Sequence, residues 1–331
     1  MSMNRRKLNY VLAINEALQQ AMSADANVLL MGQGVNSPWY IGNAARGLLD
    51  AFGDERVIDT PVSENAITGA AVGAALSGMR PIVVHPRMDF MFYAFDPIIN
   101  QAANWHYMNG GRMPAPVVFW GIINRGGEQA AQHSQALQAM FAHVPGLKVV
   151  MPATPYDAKG LMLAAIKDNN PVVYIDDRWL HQSEGVVPEG VYTVPIGKAA
   201  IRQKGRDLTL VASSFMATMA QAAIETLTEE GIEIEFIDLR TIKPFDKTAL
   251  LESVAKTGRL VIVDGGWKSF GIAAEIEATI LENVFDYIKS PPVRVTLPDS
   301  PAPASGILEK AYYPAAKDII DAVHKVMAHG R

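Results

Sequence analysis

Residues 59–75 read Asp-Thr-Pro-Val-Ser-Glu-Asn-Ala-Ile-Thr-Gly-Ala-Ala-Val-Gly-Ala-Ala. A serine followed by an acid, at the head of an apolar run of small residues, is the chemistry of a helix N-terminus. A helix is therefore expected from Glu64, with Ser63 as its N-cap. A strand should end just upstream, near Asp59. Glu64 then lies in the first helical turn, where the macrodipole favours a carboxylate, and at the carboxyl edge of the sheet, where sites form in α/β folds. Gly69 and Gly73 share one helix face. With Ala70, Ala71 and Ala74 they leave a surface thin enough for another backbone to approach. Two readings stay open on these residues alone. Glu64 is a working carboxylate on a helix built for close contact, or it is an ordinary first-turn acid above packing glycines.

Working outward, apolar runs alternate with stretches of helical period. The strand-like runs are Val28–Met31, Pro81–Val84, Pro116–Trp120, Leu147–Met151 and Pro171–Ile175. Helical spacing occupies 8–22, 64–77, 94–108, 131–143 and 156–168. Unbroken apolar strands between helices predict a mostly parallel sheet covered on both faces. The rhythm breaks over 178–198, a polar stretch with Gly185, Pro188 and Gly190. It restarts with runs at 208–212, 232–237, 260–263 and 293–296, separated by helical stretches near 215–230, 246–256 and 271–284. The expected fold is α/β with two domains, 1–180 and 199–331, joined by a linker at 181–198. Each is a mostly parallel sheet flanked by helices.

Bulk chemistry narrows the function. The net charge of -5 argues against general nucleic-acid binding, which needs a basic footprint. The chain has no cysteine, so disulfides, thiolate metal sites and a cysteine nucleophile are excluded. The basic start, Met1 to Lys7, is followed by a stretch that Asn15, Glu16, Gln19 and Gln20 interrupt, so a secretory signal is not expected. No apolar run of about 18 residues predicts a membrane span. A cytoplasmic protein is the expectation.

Glu64, four residues, Gly69, three residues, Gly73: this spacing resembles the motif of the pyrimidine-binding half of thiamine-diphosphate enzymes. The same resemblance continues along the chain. It takes in Arg80-Pro-Ile, Asp96-Pro-Ile-Ile-Asn100-Gln-Ala-Ala, Tyr107-Met-Asn-Gly-Gly111, Ala131-Gln-His-Ser-Gln135, Pro145-Gly-Leu-Lys-Val-Val150, Asp157-Ala-Lys-Gly160, Lys167-Asp-Asn-Asn-Pro-Val-Val173 and Asp238-Leu-Arg-Thr-Ile-Lys-Pro-Phe-Asp246. Taken in order, the series resembles the beta subunit of the decarboxylating component of pyruvate and branched-chain 2-oxoacid dehydrogenases, in the transketolase-like superfamily.

The resemblance implies a pyrimidine-binding domain followed by a transketolase C-terminal-like domain. It implies that Glu64 hydrogen-bonds N1′ of the cofactor's aminopyrimidine, favouring the imino tautomer whose nitrogen takes a proton from the thiazolium; decarboxylation chemistry then belongs to the cofactor. Phe90 falls on the family's stacking aromatic, with Tyr93 close to the same pocket, and His133 on its active-site histidine. Val117, Ala165, Asp168 and Asn170 fall where relatives hold a structural potassium ion, mainly through carbonyls; an ordinary helix end before Pro171 reads the same way.

Four features depart from the family. Tyr93 stands where relatives carry Gln. Val84-His85-Pro86-Arg87-Met88-Asp89 replaces a Glu-Phe-Met-rich run; His85 and Arg87 either add positive charge suited to an anionic or polar substrate or are solvated loop residues. Lys289 stands where complex-forming relatives have an acid that docks a basic acyltransferase domain, and the ending Met327–Arg331 is longer than theirs. Joining a lipoyl acyltransferase core is therefore in question.

The diphosphate is held in this family through Mg²⁺ by a Gly-Asp-Gly motif, which this chain lacks. Val263-Asp-Gly-Gly-Trp267 looks similar, but the family reading makes it a structural turn. The resemblance thus implies a partner alpha subunit that supplies Mg²⁺ and diphosphate, in an α₂β₂ heterotetramer. Two other readings stand beside the dehydrogenase subunit: a stand-alone two-subunit lyase or ketol transferase using the same cofactor, and a non-catalytic assembly subunit. A plain dinucleotide-binding protein lacks support, since no Gly-x-Gly-x-x-Gly follows the first strand.

Overall fold

The computed structural model describes residues 6–329. Met1–Arg5, within the stretch read for a signal, and the last two residues of the longer ending lie outside the described residues. The strands are β1 (Lys7–Asn9), β2 (Val28–Gly32), β3 (Val57–Asp59), β4 (Arg80–His85), β5 (Val118–Ile123), β6 (Lys148–Val150), β7 (Val172–Asp177), β8 (Glu184–Val186), β9 (Ala200–Gln203), β10 (Leu208–Ala212), β11 (Ile234–Asp238), β12 (Thr241–Lys243), β13 (Leu260–Trp267) and β14 (Val293–Leu297).

The fold is two α/β units. A seven-stranded sheet runs β12-β6-β7-β5-β4-β2-β3, and a five-stranded sheet runs β14-β13-β10-β11-β9. All pairings in the first are parallel except β12 with β6. In the second only β9 runs antiparallel, beside β11. Strand alternation explains the apolar runs. In the first sheet Leu30, Ile82, Val84, Trp120 and Tyr174 pack on one face, with the helix Tyr10–Ala24 and its Tyr10, Ile14 and Leu18. Leu29, Met31, Val83 and Phe119 pack on the other, in a core that continues through Ile237, Ile262 and Ile276 of the second unit. One core therefore joins the two units.

Some elements differ from expectation. Thr241–Lys243 lies in the stretch assigned to the second domain, yet it pairs with β6 at the edge of the first sheet. The stretch 178–198 is not featureless: β8 pairs with β1 in a small antiparallel sheet. Only Gln138–His143 of 131–143 is helical, because the chain before it runs through turns with Gly126, Gly127, Glu128 and Ala130 at positive φ. Residues 94–108 open as a π-helix over Asp96–Ala102 before becoming α-helical. Val263-Asp-Gly-Gly-Trp267 is not a turn but the second half of β13. Gly265 lets Arg125 in: a Cβ there would stand 2.4 Å from the Arg125 guanidinium.

Candidate active site

The parallel strands aim their carboxyl ends at one edge, and a cleft of about 530 Å³ opens there. Three segments build it. After β2 come Gln33, Ser37, Trp39 and Tyr40; after β3 come Ser63, Glu64 and Ile67; from the end of β4 come Val84, His85, Pro86, Arg87 and Phe90, with His133 closing the far side. The three wall segments can converge because β2 and β4 are neighbours at close range. A Cβ on Gly32 would lie 2.4 Å from the Val84 carbonyl oxygen, and its φ of +149° is one few other residues adopt.

Glu64 opens the helix Glu64–Leu76, as expected, and is half-buried in the cleft wall. Ser63 occupies the N-cap position without a side-chain cap bond, so it is the macrodipole rather than the serine that favours the acid there. Gly69 and Gly73 face solvent, with nothing near their would-be Cβ positions. Gly69, Ala70 and Gly73 thus form an open small-residue surface, whereas Ala71, expected on the same face, is buried in the core.

Glu64, Phe90 and His133 are brought together, though 26 and 43 residues separate them in turn along the chain. Phe90 and His133 meet edge to face with ring centroids 5.2 Å apart. Tyr93 does not line the cleft. It is 70% exposed and reaches the site only through Phe90, on which it stacks at 6.5 Å. Asp89, in the same short 3₁₀ segment as Phe90, accepts the Gln135 backbone N–H at 3.0 Å and so ties that segment to the His133 loop. Burial raises the Asp89 carboxyl above the usual carboxylate range, the Gln135 bond offsetting part of this.

His85 and Arg87 part company. His85 is buried, shares a 3.2 Å hydrogen bond with the Thr68 hydroxyl, and is pushed down to about 4 by burial. It is neutral near pH 7 and adds no positive charge. Arg87 keeps its charge and lines the cleft. A histidine whose folded value is depressed contributes stability that is present above its unfolded value of about 6.5 and lost as pH falls toward 4. Replacing it by Gln should therefore flatten the fall in thermal midpoint between pH 6.5 and 4.5, an effect on the order of 3 kcal/mol at most. An unchanged slope in a pH series of melts would show that His85 protonates within the fold.

The potassium candidates share one corner, under the C-terminus of the helix Pro155–Lys167. The Val117 carbonyl accepts from Val172 N–H at 3.0 Å, and the Ala165 carbonyl from Asp168 N–H at 3.2 Å. The Asp168 carboxylate accepts Asn170 N–H at 2.9 Å and pairs with Lys148 at 2.5 Å. Arg80 donates to the Ile166 and Asp168 carbonyls at 2.9 and 3.1 Å. Carbonyls at a helix C-terminus attract cations, and here Arg80 already uses two of them. Among the described residues, no group of three or more His, Cys, Asp or Glu side chains could hold a metal ion.

The sequence did not single out Gln33, Ser37, Trp39 or Tyr40. The available signal was their place after the first strand of the sheet, where α/β folds build sites.

Known proteins resemble both halves. The transketolase pyrimidine binding domain family matches residues 6–181, and the transketolase C-terminal domain family matches 197–319. The acetoin:2,6-dichlorophenolindophenol oxidoreductase subunit beta of Cupriavidus necator is 44% identical over 98% of this chain and 99% of its own length. The pyruvate dehydrogenase E1 component subunit beta of Rickettsia felis is 43% identical over 95% and 96%. A solved split gene transketolase, described as an inactive beta4 tetramer, shares the fold at a TM-score of 0.79 and 21% identity, over 96% of this chain and 98% of that one.

Proposed function

This chain belongs to the beta subunits of thiamine-diphosphate-dependent 2-oxoacid dehydrogenases, within the transketolase-like family, and from that premise we propose that it supplies the pyrimidine side of an active site completed by an alpha subunit. The observation that carries this reading is the convergence of Glu64, Phe90 and His133 on one cleft at the carboxyl edge of the sheet. The donor set fits half of the cofactor. A carboxylate suits a ring nitrogen that must gain and lose a proton, and an aromatic side chain suits a heteroaromatic ring. It does not fit the other half. The chain has no Gly-Asp-Gly, and the described residues offer no acidic cluster for Mg²⁺. Mg²⁺ and the diphosphate belong to the partner.

Thiamine diphosphate, when bound, supplies the electron sink for decarboxylating a 2-oxoacid such as pyruvate. The protein's own part is narrower. Glu64 holds and returns a proton at the aminopyrimidine nitrogen. Phe90 gives that ring an apolar face and keeps water from it. His133, held against Phe90, presents a ring nitrogen toward the reacting substrate. In the dehydrogenase reading the acyl group then passes to lipoamide.

We further read the assembly as an α₂β₂ heterotetramer working in the cytoplasm; among the described residues no helix is long and apolar enough to cross a membrane. The open Gly69 and Gly73 face supports packing against another subunit. The deciding experiment compares the chain alone with the chain co-expressed with its alpha partner, following 2-oxoacid-dependent reduction of dichlorophenolindophenol. Turnover is expected only in the mixture. Full activity of this chain alone would refute the shared site. Potassium is proposed at the carbonyl corner near Val117, Ala165, Asp168 and Asn170. It should raise the thermal midpoint in KCl over choline chloride at equal ionic strength, and equal midpoints would remove it.

A second reading, the two-subunit lyase or ketol transferase, is favoured by Lys289. Its ammonium donates to the Thr257 carbonyl at 3.0 Å and its N–H to Gly258 at 2.8 Å. It caps the helix Lys247–Thr257 where an acid would be needed to dock a basic acyltransferase domain. Acyl-dihydrolipoamide formation supports the dehydrogenase; release of a free aldehyde or ketol supports the second reading. The non-catalytic subunit is disfavoured by the intact cleft.

A further inference from the structure

Arg87, which lines the cleft, and Arg178, which holds the Trp39–Tyr40 segment of its wall, both lack a carboxylate partner. Arg87 lines the cleft after β4; its Nη1 donates to the neighbouring Pro86 carbonyl at 3.0 Å, and its Nε is buried without a partner. Arg178 follows directly after β7. It donates to the backbone carbonyls of Trp39 and Tyr40, whose side chains line the same cleft, and its Nε is also buried and unpartnered. Among the described residues neither arginine forms an ion pair within 4 Å.

The acids of this sheet edge form no ion pair with either arginine. Asp59 accepts Gly34 N–H at 2.7 Å; Asp89 accepts Gln135 N–H at 3.0 Å through Oδ1, while its Oδ2 is buried without a hydrogen-bond partner. Asp176 holds Trp120 and His181, and Asp177 holds Arg125. Glu64 is committed to the cofactor in the reading above. Burial lowers both guanidinium values. Asp89 partly offsets this for Arg87 and Asp176 for Arg178, while Arg87 adds repulsion at Arg178. Two half-buried guanidiniums without an acid carry a cost that an incoming anion relieves.

We propose that Arg87, backed by Arg178, selects a 2-oxoacid that carries a second anionic group on its side chain: a carboxylate, sulfonate or phosphonate. This rests on the thiamine-diphosphate reading of the same cleft. The second anion, not the carboxylate that leaves, is the natural ligand. A cation gripping the departing carboxylate would stabilise the ground state more than the transition state and slow the step. A cation on a group that stays lowers KM without that penalty, and a guanidinium suits a planar or tetrahedral oxyanion through paired donors.

The test uses the enzyme reconstituted with its alpha subunit and two matched substrate pairs: 2-oxopentanoate with 2-oxoglutarate, and pyruvate with 3-phosphonopyruvate. The wild type should favour the anionic member of at least one pair by about ten-fold or more in kcat/KM. Arg87→Met should cut that preference by roughly 10–100-fold, acting mainly through KM and only on the anionic member, and Arg87→Lys should restore part of it. Arg178→Met should move the ratio in the same direction, which keeps the test decisive if Arg87→Met does not fold. A wild type that turns over the neutral members preferentially overturns the inference and leaves the thiamine reading standing. So does an Arg87→Met variant whose cofactor dissociation constant rises while its substrate ratio is unchanged, since Arg87 would then serve the diphosphate. Absence of turnover on every 2-oxoacid overturns both.

Discussion

Glu64→Gln is expected to lower turnover of the reconstituted enzyme by about 10²–10⁴-fold, the range for loss of a positioned acid–base group. Gln keeps the size and one hydrogen bond of the side chain but cannot give and retake a proton. The fold should hardly notice. Glu64 is half-buried in the first turn of its helix, so its main structural contribution is the macrodipole interaction, roughly 0.3–1 kcal/mol. Dye-reduction kinetics and thermal melts on the same preparation separate the two effects. Unchanged turnover with an unchanged melt would move this chain to the assembly-subunit reading.

Arg125→Met should be the most destabilising of the substitutions considered, by about 3–5 kcal/mol, because it strips the partner from a buried ion pair. The Arg125 side chain is 2% exposed and that of Asp177 0%, with Nε 2.7 Å from the carboxylate. The same guanidinium reaches across to the second unit, donating to the Gly265 carbonyl at 3.0 Å and lying 5.9 Å from the Tyr313 ring centroid. Both units should therefore lose stability together, with a fall in thermal midpoint of roughly 5–15 °C. Burial already pushes the Asp177 carboxyl up, and Arg125 pulls it back. Without Arg125 it rises further. A carboxyl raised in the fold binds its proton more readily there than in the unfolded chain, so the deficit should shrink as pH falls and grow as pH rises. Adding Asp177→Asn should recover part of the loss. A double variant no more stable than Arg125→Met would show that lost packing, not the stranded charge, is responsible.

Much of the frame was legible from local pattern. The helix from Glu64 is where Ser63 and the small-residue run put it, and the apolar runs at 28–31, 81–84, 171–175 and 208–212 lie in strands, apart from Pro171 just before β7. Their legibility has a simple cause. A strand covered on both faces must be apolar throughout, and a helix start must answer its free N–H groups locally. What failed locally depended on distant partners. Residues 131–137 have helical spacing but follow a run of positive-φ turns. Val263–Trp267 looks like a glycine turn yet is extended, paired with β14 at Val263 and Trp267, with Arg125 against Gly265 and Gln138 against Gly266.

Glu64 shows the same division at the scale of one residue. Its position in the helix and the Glu64–Gly69–Gly73 spacing that resembles the family's pyrimidine-binding motif were legible in the sequence, since spacing is a property of the chain. Which residues face Glu64 was decided only by the tertiary structure: Phe90 and His133 across the cleft, Tyr93 behind rather than in it, His85 neutral and Arg87 charged without an acid. Burial and through-space charge set those states, and both depend on which segments the sheet brings to one edge.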